Sequence, residues 1–178
     1  MKSTIRLSIA LLICCFTTAK SQINVEPDSS TLFLLESARE IILSSAFCGF
    51  ITMDNNGWPH VRTMDPFAPE EDFTIWLATN PKSRKVEELK KNANVTLYYT
   101  GKNNEGYVTL FGRAQLVDDQ KEKDKRWKEG WNEFYSNRTN AYTLIKISPV
   151  RLEVIHYAKG IFGDSVTWKP EEVVFLKD

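Results

Sequence analysis

Two short stretches of this chain carry residue types that can grip an anion. His60-Val61-Arg62-Thr63-Met64 reads as a strand bearing a cation. Fifteen residues beyond it, Thr79-Asn80-Pro81-Lys82-Ser83-Arg84-Lys85 reads as a polar turn that opens a helix. A hydroxyl and free backbone amides in the first turn of a helix point at an incoming anion, and the helix dipole adds positive potential. Arg84 and Lys85 bring formal charge, and Arg62 from a neighbouring strand adds a bidentate donor. Each charge-assisted bond contributes about 1.5–3 kcal/mol, so three or four suffice for micromolar binding of a small phosphate. Ser-Arg-Lys alone equally describes an ordinary capped helix with solvated cations. Its combination with Arg62 in a strand–turn–helix setting favours a site.

The elements that must position these residues follow from periodicity. Thr31 to Ser45 has apolar residues near helical spacing, with Ser30 or Thr31 as its cap. Ala46–Met53 and Trp58–Met64 form a hairpin around the turn Asp54-Asn55-Asn56-Gly57. Phe73–Ala78 predicts a third strand, Ser83–Asn92 a short helix, Val95–Thr100 a fourth strand and Tyr107–Val117 a long fifth. In the last, Val108, Leu110, Ala114 and Leu116 share one face. Asp118–Tyr135 predicts a helix with a charged first half and an aromatic second half (Trp127, Trp131, Phe134, Tyr135). Tyr142–Ile147 and Val150–Tyr157 predict one strand interrupted at Pro149, or two, with proline marking a bulge or an edge. Gly160–Trp168 predicts a last strand or a turn, and Glu171–Asp178 has no clear pattern. Short strands with few helices give a mainly β fold, a small antiparallel barrel with helices packed outside. The first strand is apolar on both faces, so its outer face needs cover from a helix or a second subunit.

Of 178 residues, 1–21 resemble a secretory signal peptide: Lys2 and Arg6, an apolar run Leu7–Phe16, then Ala19-Lys20-Ser21 before a mature start at Gln22. The expected location is secreted or periplasmic, with no stable membrane insertion after cleavage. Residues 22–30 form a lead-in, and 31–178 one domain. The leader holds three of the 23 Lys+Arg, which leaves 20 against 23 Asp+Glu in the mature chain, a net charge of −3. That leaves no basic footprint for nucleic acid. Only Cys48 survives cleavage; in an apolar strand it reads as a packed thiol. His60 and His156 are far apart, and no metal-ligand spacing or hydrolase motif occurs. The charge run Lys121–Lys128 reads as a solvated face. Trp127 and Trp131 read as core or interface packing.

Gly57-x-Pro59-His60-Val61-Arg62-Thr63-Met64 and Ala78-Thr79-Asn80-x-x-Ser83-Arg84-Lys85, with the strands Asn94–Tyr99 and Val108–Ala114 in order, resemble the pyridoxamine 5′-phosphate oxidase-like superfamily of FMN-binding split barrels. The chain looks most similar to its general-stress-protein branch. The resemblance implies a split β-barrel homodimer with FMN at the subunit interface. It implies Arg62, Arg84 and Lys85 on the FMN phosphate with Ser83 nearby, Thr63 and Met64 lining the flavin ring through their backbone, and Ala78 and Thr79 in contact with it. Tyr107 stands where the oxidases have a flavin-contacting glutamine. Phe67 stands where they place a lysine for the substrate phosphate, and Gly160-Ile161-Phe162-Gly163 where they carry Arg-x-His. These departures argue against vitamin B6 oxidation. Two readings follow: a flavin-dependent oxidoreductase acting on a small molecule, or a non-catalytic flavin or small-ligand binder of the same fold. Neither assigns a catalytic residue.

Overall fold

The computed structural model describes residues 28–175. The leader 1–21, most of the lead-in 22–30, and 176–178 lie outside the described residues.

The chain enters as helix α1 (Ser29–Ser44), capped by Asp28, whose carboxylate accepts the Thr31 amide at 2.7 Å. The cap thus lies one turn earlier than Thr31, because aspartate supplies the acceptor for a first-turn N–H. Ser37, Ala38, Ile41 and Ile42 form the buried stripe of α1. Strands β1 (Cys48–Met53) and β2 (Pro59–Met64) pair antiparallel, with Phe50 opposite Arg62 and Thr52 opposite His60. Their turn is closed by the Asp54 carboxylate, which accepts the Asn56 and Trp58 amides at 2.8 Å. Strand β3 (Ile75–Thr79) leads into α2 (Arg84–Lys91), then β4 (Asn94–Thr100) and β5 (Gly106–Val117).

Residues 118–135 depart from the expected single helix. Helix α3 covers only Gln120–Lys125, and a separate 3₁₀ turn holds Trp131–Glu133. The backbone leaves helical geometry at Arg126 (φ −118, ψ 63), and Gly130 adopts φ 83. Tertiary contacts win over local periodicity here: Arg126 stacks on the Trp76 ring at 3.7 Å and pairs with Glu70, which turns the chain away from a helical axis. Nor is 121–128 a solvated face, since Lys123 and Arg126 are buried. Lys123 donates to the Thr139 carbonyl at 2.5 Å, and Arg126 also meets Glu122. Trp131 is buried, Trp127 and Tyr135 pack beside it, and Phe134 stays in solvent.

Strand β6 (Thr143–His156) runs unbroken through Pro149. Its register against β5 shifts where Phe111 faces Arg151 and Gly112 faces Pro149, leaving Val150 as the extra residue of a bulge. A Cβ on Gly112 would lie 2.6 Å from Ile147 and 2.8 Å from the Ser148 carbonyl, so only glycine permits the close approach. Residues 160–168 form a turn bridged to His156 through Ile161, and β7 (Glu171–Val174) follows. The sheet order is β2-β1-β4-β5-β6-β3, with β7 on the β3 side of β6: β3 pairs with 143–147 and β7 with 151–154. The described residues form a curled antiparallel half-barrel of seven strands with three α-helices, and the mainly β split-barrel expectation holds. Phe50, Leu97, Leu110, Ile147 and Leu152 fill its concave side beneath α1. Trp76, Ala78, Trp131, Tyr142 and Leu144 form a second core on the back of β3 and β6.

Candidate functional site

Alternation along β2 turns Arg62 and Met64 toward the concave side and Val61 and Thr63 outward. Arg62 reaches past the Phe50 ring, 6.0 Å away, toward α2. Val86 and Leu89 anchor α2 in the core, and the same burial brings Glu88 inside. Arg62 Nη1 donates to Thr52 Oγ1 at 2.6 Å, and Arg62 Nη2 donates to Glu88 Oε2 at 3.1 Å. Thr52 Oγ1 in turn donates to Glu88 Oε2 at 2.5 Å. Arg84 Nε lies 3.1 Å from Glu88 Oε1, one helical turn away. Burial pushes the Glu88 carboxyl up, but the Thr52 hydroxyl and the Arg62 guanidinium together hold it below the usual carboxylate range.

Lys85 sits differently. Its ammonium donates to Thr79 Oγ1 at 2.9 Å, and the Ser83 hydroxyl lies 3.2 Å from the same oxygen. Among the described residues Lys85 has no carboxylate within ion-pair distance. Burial lowers its pKa, the charges of Arg62 and Arg84 lower it further, and the more distant Glu88 carboxylate offsets only part of this. Two arginines thus meet one carboxylate with an unpaired ammonium beside them, a surplus of positive charge held by α2 and β2 next to the end of β3. A partly desolvated ammonium with two hydroxyls beside it is chemically suited to an anion with several acceptor oxygens.

The structure therefore brings together Arg62, Thr79, Ser83, Arg84 and Lys85. Ser83 precedes α2 and makes no side-chain capping bond, so its hydroxyl remains directed to Thr79. Met64 lies on the same concave side, packed against the core. Ala78 turns its methyl into the second core. Trp76 directs its carbonyl away from β6 to the Phe67 amide, and the two-residue period turns the Ala78 backbone groups to that same open edge. Thr63 and Tyr107 lie on the convex face, where Tyr107 stacks near Tyr98 at 5.6 Å. They do not join the cluster within one protomer. His60 is tied to the hairpin turn, 3.4 Å from Asp54.

Sequence reasoning missed Thr52 and Glu88. Both left a signal. Glu88 is four residues after Arg84, the spacing of a helical ion pair. Thr52 is two residues along β1 from the partner of Arg62, on the same face. The departures in the substrate region also have clear structures. Phe67 packs edge-on to Trp131 at 5.6 Å, and Lys128 lies over its ring at 4.7 Å while bound to Asp65 and the Pro66 carbonyl. Ile161 exchanges both backbone hydrogen bonds with His156.

Residues 35–161 match the family described as "Pyridoxamine 5'-phosphate oxidase like". General stress protein 26 of Bacillus subtilis (strain 168) is 26% identical over 113 residues, covering 61% of this chain and 79% of that protein. The crystal structure of general stress protein 26 from Bacillus anthracis str. Sterne superposes with a TM-score of 0.63 at 26% identity, covering 79% of this chain and 97% of the other. A pyridoxamine 5′-phosphate oxidase-related, FMN binding protein from Nostoc punctiforme PCC 73102 shares the fold at a TM-score of 0.59 and 10% identity, covering 86% and 99%. The match spans the hairpin, the α2 cation cluster and the bulged β5–β6 pair, so the chain belongs to the pyridoxamine 5′-phosphate oxidase-like family.

Proposed function

We propose that this chain binds FMN through its phosphate and serves as a flavin-dependent oxidoreductase on a small substrate. One observation carries the reading: the half-buried Lys85 ammonium, with no described carboxylate within ion-pair distance and flanked by the Thr79 and Ser83 hydroxyls, beside two arginines that share one glutamate. The FMN-binding character of the Nostoc protein supports it. Arg62, Arg84 and Lys85 bind the phosphate, with Ser83 and Thr79 as further hydrogen-bonding partners. Thr63, Met64 and Ala78 line the ring through backbone at the open edges of β2 and β3. Bound FMN supplies the hydride or electron transfer. The chain's own residues hold, orient and shield.

The convex face supports a homodimer. Trp58 and Val61 are exposed, and Ile51, Met53, Phe111 and Val150 line an apolar groove of about 320 Å³. A second copy covers such a face better than water does. Tyr107 then reaches a flavin only across the subunit interface. The substrate is not pyridoxamine phosphate: Phe67 sits in an aromatic cluster, and the 160–163 turn presents no cation. The leader reading places the protein outside the cytoplasm.

Full-length protein refolded with excess FMN is expected to retain flavin absorption after desalting. Complete loss of colour overturns the reading. Stopped-flow mixing with NADH or NADPH then separates enzyme from carrier: bleaching of the flavin supports catalysis, and a flavin that stays oxidised supports the non-catalytic binder.

A further inference from the structure

Glu88 is the buried charge that the phosphate reading leaves without a role. Its side chain is 6% exposed, and it receives Arg62 and Thr52 on Oε2 and Arg84 on Oε1. Oε1 has the Arg84 charge beside it at 3.1 Å yet no hydrogen bond of good geometry. The Arg84 guanidinium is thus held electrostatically rather than locked. Arg84 itself is 68% exposed and can swing toward a ligand while its charge stays nearby. His60 and Arg62 face Glu88 from β2, Thr52 from β1, and Arg84 and Lys85 from α2; Asp54, Glu87 and Lys91 line the adjoining groove.

We propose that Glu88 is the positioning residue of the cradle: a built-in counter-anion that holds Arg62 and Arg84 in place while the site is empty and limits the cluster to a net charge of +2, matched to a dianionic phosphate monoester. This rests on the phosphate reading above and adds a specificity-determining residue to it. Three cations clustered without a carboxylate, two of them partly desolvated, repel one another and disfavour the folded state. With Glu88 present the empty protein is stable, and the incoming dianion meets balanced rather than excess charge. Coulomb attraction scales with the product of the charges, so removing Glu88 strengthens binding of a dianion more than of a monoanion. Glutamine is the informative replacement because it keeps the shape and still accepts from Arg62.

The test measures binding of FMN, inorganic phosphate and riboflavin to wild type, Glu88→Gln and Glu88→Asp, at about pH 7.5 and about pH 5, which bracket the second phosphate ionisation near pH 6. Glu88 stays ionised across that window, its carboxyl being held below the usual range. For Glu88→Gln the expected result is about tenfold tighter FMN and phosphate binding at the higher pH and about threefold at the lower. Riboflavin, which lacks the phosphate, is expected to bind unchanged. The empty variant melts lower than wild type, and FMN raises its Tm by more. Glu88→Asp retains the wild-type pH profile. If Glu88→Gln fails to fold alone, saturating FMN is expected to restore folded protein, and failure to restore it overturns the proposal. Unchanged affinity and pH profile in Glu88→Gln make Glu88 a purely structural carboxylate, and equal weakening of FMN and riboflavin makes it a fold determinant; either overturns the proposal. Wild type that binds neither FMN nor phosphate overturns the phosphate reading itself.

Discussion

Cations gather in two places on this sheet, and they are neutralised in opposite ways. Behind β3 and β6, Arg126 stacks on Trp76 and pairs with both Glu70 and Glu122, Lys123 pairs with Asp118, and Lys128 pairs with Asp65. Every one of those cations has a carboxylate. Under α2, Arg62 and Arg84 share Glu88, and Lys85 has no carboxylate within ion-pair distance among the described residues. Burial of a charge is tolerated when it is paired, and a buried surplus persists where a ligand completes the pairing. The first region is architecture, and the second is the candidate site. The discriminating feature is the ratio of cations to carboxylates, not the number of cations.

That contrast yields a ranked set of tests. Arg126→Ala removes a buried guanidinium from two carboxylates and from the Trp76 face. Because Glu70 and Glu122 are partly solvated, the expected loss is about 2–4 kcal/mol, read by urea unfolding, with FMN affinity unchanged. A drop in FMN affinity at constant stability would break the contrast from the architectural side. Lys85→Met is the mirror image. On the proposed reading it removes one charge-assisted bond to the phosphate, so titration is expected to show about 10–100-fold weaker FMN binding. Stability is expected to hold or rise slightly, since methionine fills the same space without a desolvated ammonium. The structure also refines the obvious double variant Arg62→Ala with Lys85→Ala, which strips Glu88 of its more buried cationic partner and is expected to cost stability as well as affinity.

Titration sharpens the same comparison. Burial, then Arg62, lowers the Lys85 pKa, so between that lowered value and the unfolded value near 10.4 the unfolded chain binds more protons. Stability contributed by this group therefore rises with pH across that window, while FMN binding is expected to weaken as the ammonium discharges. Glu88 gives the same slope in a lower pH window, from a different cause. Despite the upward push of burial, Thr52 and Arg62 leave its folded pKa below the unfolded value near 4.3. Its contribution is complete above that value and is lost as pH falls through the folded one. Urea unfolding and FMN titration across the pH range, compared with Lys85→Met and Glu88→Gln, assign each limb. The smallest effect belongs to Arg84→Gln. Its side chain is mostly solvated, so stability is expected to move by less than about 0.5 kcal/mol while FMN affinity falls severalfold, a difference visible by calorimetric titration.

Much of the scaffold was legible because it is local. Asp54 closes the hairpin through its own neighbours' amides, and the alternation of β5 places Val108 and Leu110 in the core as expected. Pro149 marked a bulge and the structure has one. Cys48 was expected to be a packed thiol, and burial, relieved slightly by a bond to Tyr99, pushes its pKa up to about 12. The helix expected over 118–135 failed for a non-local reason: Trp76 and Glu70, some fifty residues away, offer Arg126 more than another helical turn does. The resemblance put Tyr107 and Arg62 on one flavin, yet they do not share a face, because strand order and pleat together put Tyr107 on the convex side.

Residue type and spacing alone determined that a strand cation and a hydroxyl-bearing helix start lie in one chain, since turn chemistry and periodicity act over a few residues. Only the tertiary structure decided which cations are neutralised. Charge pairing depends on distance through space, and α2, β1 and β2 meet Glu88 from positions up to 36 residues apart. Folding alone could leave Lys85 partly desolvated beside Thr79 with no described carboxylate within ion-pair distance.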